Sequence, residues 1–169
     1  MKQKRNYHLR GMIMLCSFLI IPALSFAAGN TDFTGEWTLN NEKSELGEGR
    51  FFSPLRMTVK QDTEAITIDR TTTGRNGDER TMSQTLTMDG KENKMETERR
   101  SSISVVTWSE DGSALTIKAD SEFSRQGEVM KMKSEEIWTL EEDGKILKIQ
   151  SSMTTPRGDR AVTLVYDKK

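Results

Sequence analysis

Residues 103–123 read ISVVTWSEDGSALTIKADSEF. Val106 and Trp108 flank Thr107, and beyond Asp111-Gly112 the apolar Leu115, Ile117 and Phe123 alternate with Thr116, Lys118 and Glu122. An apolar side chain at every second position lines one face of an extended strand and cannot line one face of a helix, whose period is 3.6. Asp-Gly between the two runs supplies the positive φ of a tight reversal, so the stretch is a β-hairpin.

The same pattern extends in both directions. Period-two runs cover residues 33–39, 55–61, 65–72, 80–88, 92–99, 103–109, 114–123, 129–140, 145–153 and 160–167, ten candidate strands with no long helical stripe. Asn76-Gly77, Asp89-Gly90 and Asp143-Gly144 repeat the hairpin chemistry. Residues 40–54 form a longer loop, with one short helical turn expected over 41–46. Short links make sequence neighbours spatial neighbours, giving an antiparallel up-and-down meander. Pairing its first strand with its last removes two long edges, so the expected fold is all-β, a closed barrel of eight to ten strands.

The apolar member of each alternation defines an inner face that includes Trp37, Met57, Ile68, Met82, Val106, Trp108, Ile117, Phe123, Met130, Met132, Trp138, Ile149, Leu164 and Tyr166. The same registers carry Arg70, Gln84, Arg99, Glu136 and Ser151 inward. A sealed core does not tolerate unpaired charge. Either these groups line a wet or ligand-filled interior, with Glu136 paired to Arg70 or Arg99, or bulges turn them outward.

The amino terminus carries Lys2, Lys4, Arg5 and Arg10 without an acid, followed by an apolar run over residues 12–24 and the small-residue site Ser25-Phe26-Ala27. This is the pattern of a secretory signal peptide cleaved after Ala27, leaving one domain over residues 28–169 in the periplasm or outside the cell. Cys16 and His8, the chain's one cysteine and one histidine, both fall in the segment removed. The mature chain then has no thiol or imidazole for nucleophilic or general-base catalysis, and none of the usual nitrogen and sulfur ligands of zinc. It has no disulfide either, so it must rely on its core. Removing four basic residues from the chain's 25 leaves 21 against 26 acids, a balance that disfavours nucleic acid.

Asp32-Phe33-Thr34-Gly35-Glu36-Trp37 resembles the opening strand of the lipocalin and wider calycin group. The longer phrase to Asn40, with Glu42-Lys43-Ser44 after it, is similar to secreted bacterial proteins described as lipocalin-like. The resemblance implies a barrel whose Gly35 admits a sharp turn at the floor. It also implies that Trp37 plugs the closed end beneath a cation from the last strand, for which Arg160, or else Arg157, is the expected residue.

The reading that follows is a non-catalytic binding protein enclosing a small apolar or amphipathic ligand. Trp108, Phe123, Met130, Met132 and Tyr166 form its expected wall, and Arg70 or Arg99 its polar anchor; no cofactor is called for. Met57, Met82, Met88, Met130 and Met132 suit either a soft lining or a gap-filling core. The adjacent acids Glu135-Glu136 and Glu141-Glu142 point to opposite faces of a strand and cannot serve a glycosidase alone. The alternative is an envelope interaction module acting through Phe51-Phe52 in the 40–54 loop. An outer-membrane barrel is disfavoured because the mature chain has too few aromatics for two girdles.

Overall fold

The computed structural model describes residues 29–47, 53–74, 76–98, 100–125, 128–156 and 158–169. The segment read as a signal peptide, Phe51-Phe52, Arg99 and Arg157 lie outside the described residues. Ten strands form one antiparallel sheet: β1 (Gly35–Leu39), β2 (Arg56–Gln61), β3 (Ala65–Thr73), β4 (Glu79–Thr87), β5 (Glu92–Thr97), β6 (Arg100–Trp108), β7 (Ala114–Arg125), β8 (Glu128–Glu141), β9 (Ile146–Thr155) and β10 (Gly158–Lys168). Each coincides with an expected strand to within about three residues, and glycines 77, 90, 112 and 144 all take positive φ in their turns. Residues 41–43 form a turn, and Glu45 bridges Thr163 in place of the expected helical turn.

The sheet order is β4-β3-β2-β1-β10-β9-β8-β7-β6-β5. First and last strands pair, Trp37 opposite Lys168, so the meander curls into a nearly closed barrel. Closure is incomplete at one place. β4 and β5, joined by Asp89-Gly90, share no ladder and face each other across a seam. At the turn, Asn93 takes the part that a partner backbone would play: its Oδ1 accepts from the Thr87 amide at 2.8 Å and its Nδ2 donates to the Thr87 carbonyl at 3.2 Å. The expectation that every short link joins paired strands fails here, because a side chain satisfies the backbone before a ladder can start.

Side-chain size varies along the barrel axis. At the end crossed by residues 31–33, Phe33, Trp37, Ile66, Leu115, Trp138 and Leu147 are fully buried. Phe33 stacks on Trp108 and meets Trp138 edge-on, with centroids 5.9 and 5.8 Å apart. Gln61 holds residues 31–33 across this floor, accepting from the Phe33 amide and donating to the Thr31 carbonyl. Towards the other end, inward positions of β6 to β8 are small: Ser104, Ala119 and Ser134 are cross-strand partners, as are Ser102 and Ser121. Bulky rungs pack solid and small rungs leave space, so the barrel is a sealed floor below a hollow mouth.

The outer face is charged. Outward residues of β7 and β8 form the ion pairs Lys118–Glu135, Lys131–Glu122 and Lys133–Asp120. A lipid-facing band would be apolar there.

Candidate functional site

The hollow half is a cavity of about 400 Å³ reached by residues of nine strands, β2 to β10, within the range of small-molecule sites. Its volume follows from the serine and alanine rungs. Thioethers supply much of its apolar lining: Met57, Met82, Met95, Met132 and Met153. Met82 is 61% exposed despite facing inward, because β4 borders the seam. Met95 and Met153 were not expected on the wall. Met153 continues the inward alternation of Leu147, Ile149 and Ser151 and was legible; Met95 has only Asn93 and Thr97 beside it on its face.

The expected inward polar groups Arg70, Gln84, Glu136 and Ser151 all line this cavity. At its bottom Arg70 donates to Glu136 Oε2 at 2.8 Å, and Trp138 Nε1 donates to the same oxygen at 2.9 Å. The guanidinium also lies 5.7 Å from the Trp138 ring centroid. Arg70 and Glu136 thus satisfy each other where the packed floor begins, which is how a charge survives in a half-buried site. Tyr166 is fully buried beside them and donates its hydroxyl to the Pro54 carbonyl at 3.1 Å. Burial, with Glu136 nearby, pushes its phenol well above the ordinary tyrosine range.

Arg100 occupies the other end of the inward row Arg100, Ser102, Ser104, Val106 and Trp108. It pairs across strands with Phe123, and its guanidinium lies 4.9 Å from that ring's centroid. Its Nε is buried without a hydrogen-bond partner among the described residues. Sequence alternation carried along β5 pointed to Arg99 instead. The strand stops at Thr97, which pairs with Arg100, so the return strand starts one residue later in the opposite register.

Other expected site residues are distributed differently. Met132 and Tyr166 are on the cavity wall, Phe123 is at the rim under Arg100, and Met130 is its cross-strand partner on β8. Trp108 belongs to the floor, not the wall: it stacks on Phe33 beneath the cavity. Arg160 is exposed and pairs with Met153 at the mouth. The cation over Trp37 is Lys168, with Nζ 5.2 Å from the ring centroid. Antiparallel pairing requires this correction, because the start of β1 meets the end of β10 and not its beginning. Gly35 accommodates the lysine stem, since a Cβ there would lie 2.8 Å from Lys168 Cε.

No family profile matches the chain, and no curated protein matches it. Among solved structures it is similar to the zebrafish ileal bile acid-binding protein in complex with cholic acid, with a TM-score of 0.53 at 20% identity. The match covers 81% of this chain and 98% of that one, so the shared fold extends over nearly all of the neighbour's length.

Proposed function

We propose that the chain is a secreted, non-catalytic binding protein whose barrel encloses a small apolar or amphipathic molecule. The observation that carries this reading is the hollow half of the barrel, where serine and alanine rungs leave room opposite a thioether lining. The bile-acid complex of the fold neighbour supports it as an analogy of architecture. Met132, Tyr166 and Phe123 contact the ligand, and Met57 and Met153 adapt to its shape. Arg70 holds the polar boundary at the bottom through Glu136. Burying ~300 Å² of ligand apolar surface contributes about 7 kcal/mol before ordering costs, at ~25 cal/mol per Å². Micromolar affinity, about 8 kcal/mol, then needs polar matching in addition.

Export rests on the amino-terminal pattern, and the periplasm or the extracellular space is where the protein works. Mass spectrometry of an organic extract from the natively purified protein, followed by tryptophan fluorescence titration with the compound recovered, tests the binding reading. One stoichiometric lipid-like compound that shifts the emission saturably supports it. An empty extract with no response to fatty acids, haem or retinoids overturns it. Amino-terminal sequencing of the exported form tests cleavage after Ala27.

A further inference from the structure

Among the described residues the cavity is lined by two guanidinium groups and one carboxylate, which leaves one positive charge uncompensated. Arg70 is not that charge, since Glu136 pairs with it at 2.8 Å. Arg100 is. Among the described residues no carboxylate lies within ion-pair distance of it, and its buried Nε–H has no acceptor. The Phe123 ring lies 4.9 Å from the guanidinium, and Arg100 lines the cavity together with Met95 and Ser102. A buried donor without an acceptor, on a half-buried cation, is costly unless something completes it.

Position then decides orientation. Arg100 begins β6 at the mouth, whereas Trp108 ends the same strand in the floor. An acidic group carried to the bottom would meet the Glu136 carboxylate, whose Oε2 already accepts from two donors. Like charges there repel, and the Arg70–Glu136 pair would have to break. At the rim the same group completes Arg100 and disturbs no existing pair.

Resting on the binding reading above, we infer that the ligand is an anionic amphiphile held head-out, its acid on Arg100 at the rim and its apolar body directed toward the floor. Arg100 is the specificity-determining residue of the cavity. Burial and the neighbouring Arg70 both press its guanidinium below the ordinary range, the sense expected of a cation awaiting an anion.

The three tryptophans make the test direct, because Trp37, Trp108 and Trp138 all lie in or at the floor. Bromine quenches tryptophan on close approach, so ω-bromododecanoate should quench the emission while α-bromododecanoate binds without quenching. The acid should bind at least about tenfold tighter than ω-bromododecanol, the increment of a charge-assisted hydrogen bond. Arg100→Gln should erase that preference, and a far-UV circular dichroism spectrum like the native one reports that the variant is folded. Arg100→Lys should restore most of the preference. Equal affinity of acid and alcohol for the native protein, or stronger quenching by the α-bromo acid, overturns the inference and leaves the binding reading standing. Failure of acid and alcohol alike to bind removes both.

Discussion

Trp108 and Trp138 are both aromatic residues of the floor, yet their indole N–H groups have different fates. Trp138 donates to Glu136, while the Trp108 N–H is buried without a partner among the described residues. Trp138→Phe should therefore destabilise by about 1–2 kcal/mol more than Trp108→Phe, the worth of a hydrogen bond to a charged group, when the two are compared by urea denaturation. Asp111 offers a second single-residue test. It accepts from Ser109 Oγ, Ser113 Oγ and the Ser113 amide, which hold its carboxyl at about 2. A carboxyl with a depressed folded pKa favours the folded state fully above its unfolded value. That contribution is lost as pH falls from about 4 through about 2. Stability curves of Asp111→Asn should be flatter across this window than those of the native protein. They should not be flat, because Asp32, Asp62 and Asp89 are lowered in the same direction.

Two turns set the limits of their elements. Asn93 stands in for backbone at the start of the seam, so Asn93→Ala hands the exposed Thr87 amide and carbonyl over to water. A loss of about 1–2 kcal/mol is expected, with faster hydrogen exchange at Thr87 and little change in β7 to β9. A uniform rise in exchange across all strands would show that the side chain does not act locally. Between β8 and β9, Glu142 and Asp143 both take left-handed backbone, with φ of 50° and 54°, ahead of Gly144 at 82°. Left-handed backbone is costly for residues with a Cβ. Glu142→Gly should accordingly stabilise by about 0.5–1 kcal/mol, read as a higher Tm with no change in ligand titration.

The whole barrel is a gradient in two directions, packed to hollow along its axis and continuous to open around its circumference. β7 and β8 pair over twelve residues and β10 and β9 over ten, whereas β4 and β5 each have one neighbour and an unpaired edge. Native-state hydrogen exchange should rank β7, β8 and β9 slowest and the seam-facing amides of β4 and β5 fastest. Comparable protection on both sides of the seam would mean that the barrel is closed in solution. Ligand binding in the hollow half should slow exchange at the mouth ends of β5 and β6, where Met95 and Arg100 border the cavity, more than in the floor.

Strand limits and hairpin turns were legible because alternation and Asn-Gly or Asp-Gly chemistry act over a few residues, and pairing of β1 with β10 followed from the cost of open edges; alternation left the strand number between eight and ten, and the ladders of the sheet decide for ten. The inward polar set of Arg70, Gln84, Glu136 and Ser151 was legible for the same reason, since a period of two assigns faces. What escaped sequence reading depends on how distant segments meet. Arg100 rather than Arg99 follows from where β5 ends, and Lys168 rather than Arg160 from the direction in which β10 runs past β1. The placement of Trp108 in the floor follows from residues 31–33 crossing beneath it. Alternation settles which side of a strand a residue faces; only the closed sheet, with its register and shear, settles at what height along the axis it stands. Height is what separates a sealed floor from a hollow mouth, and a paired cation from a free one.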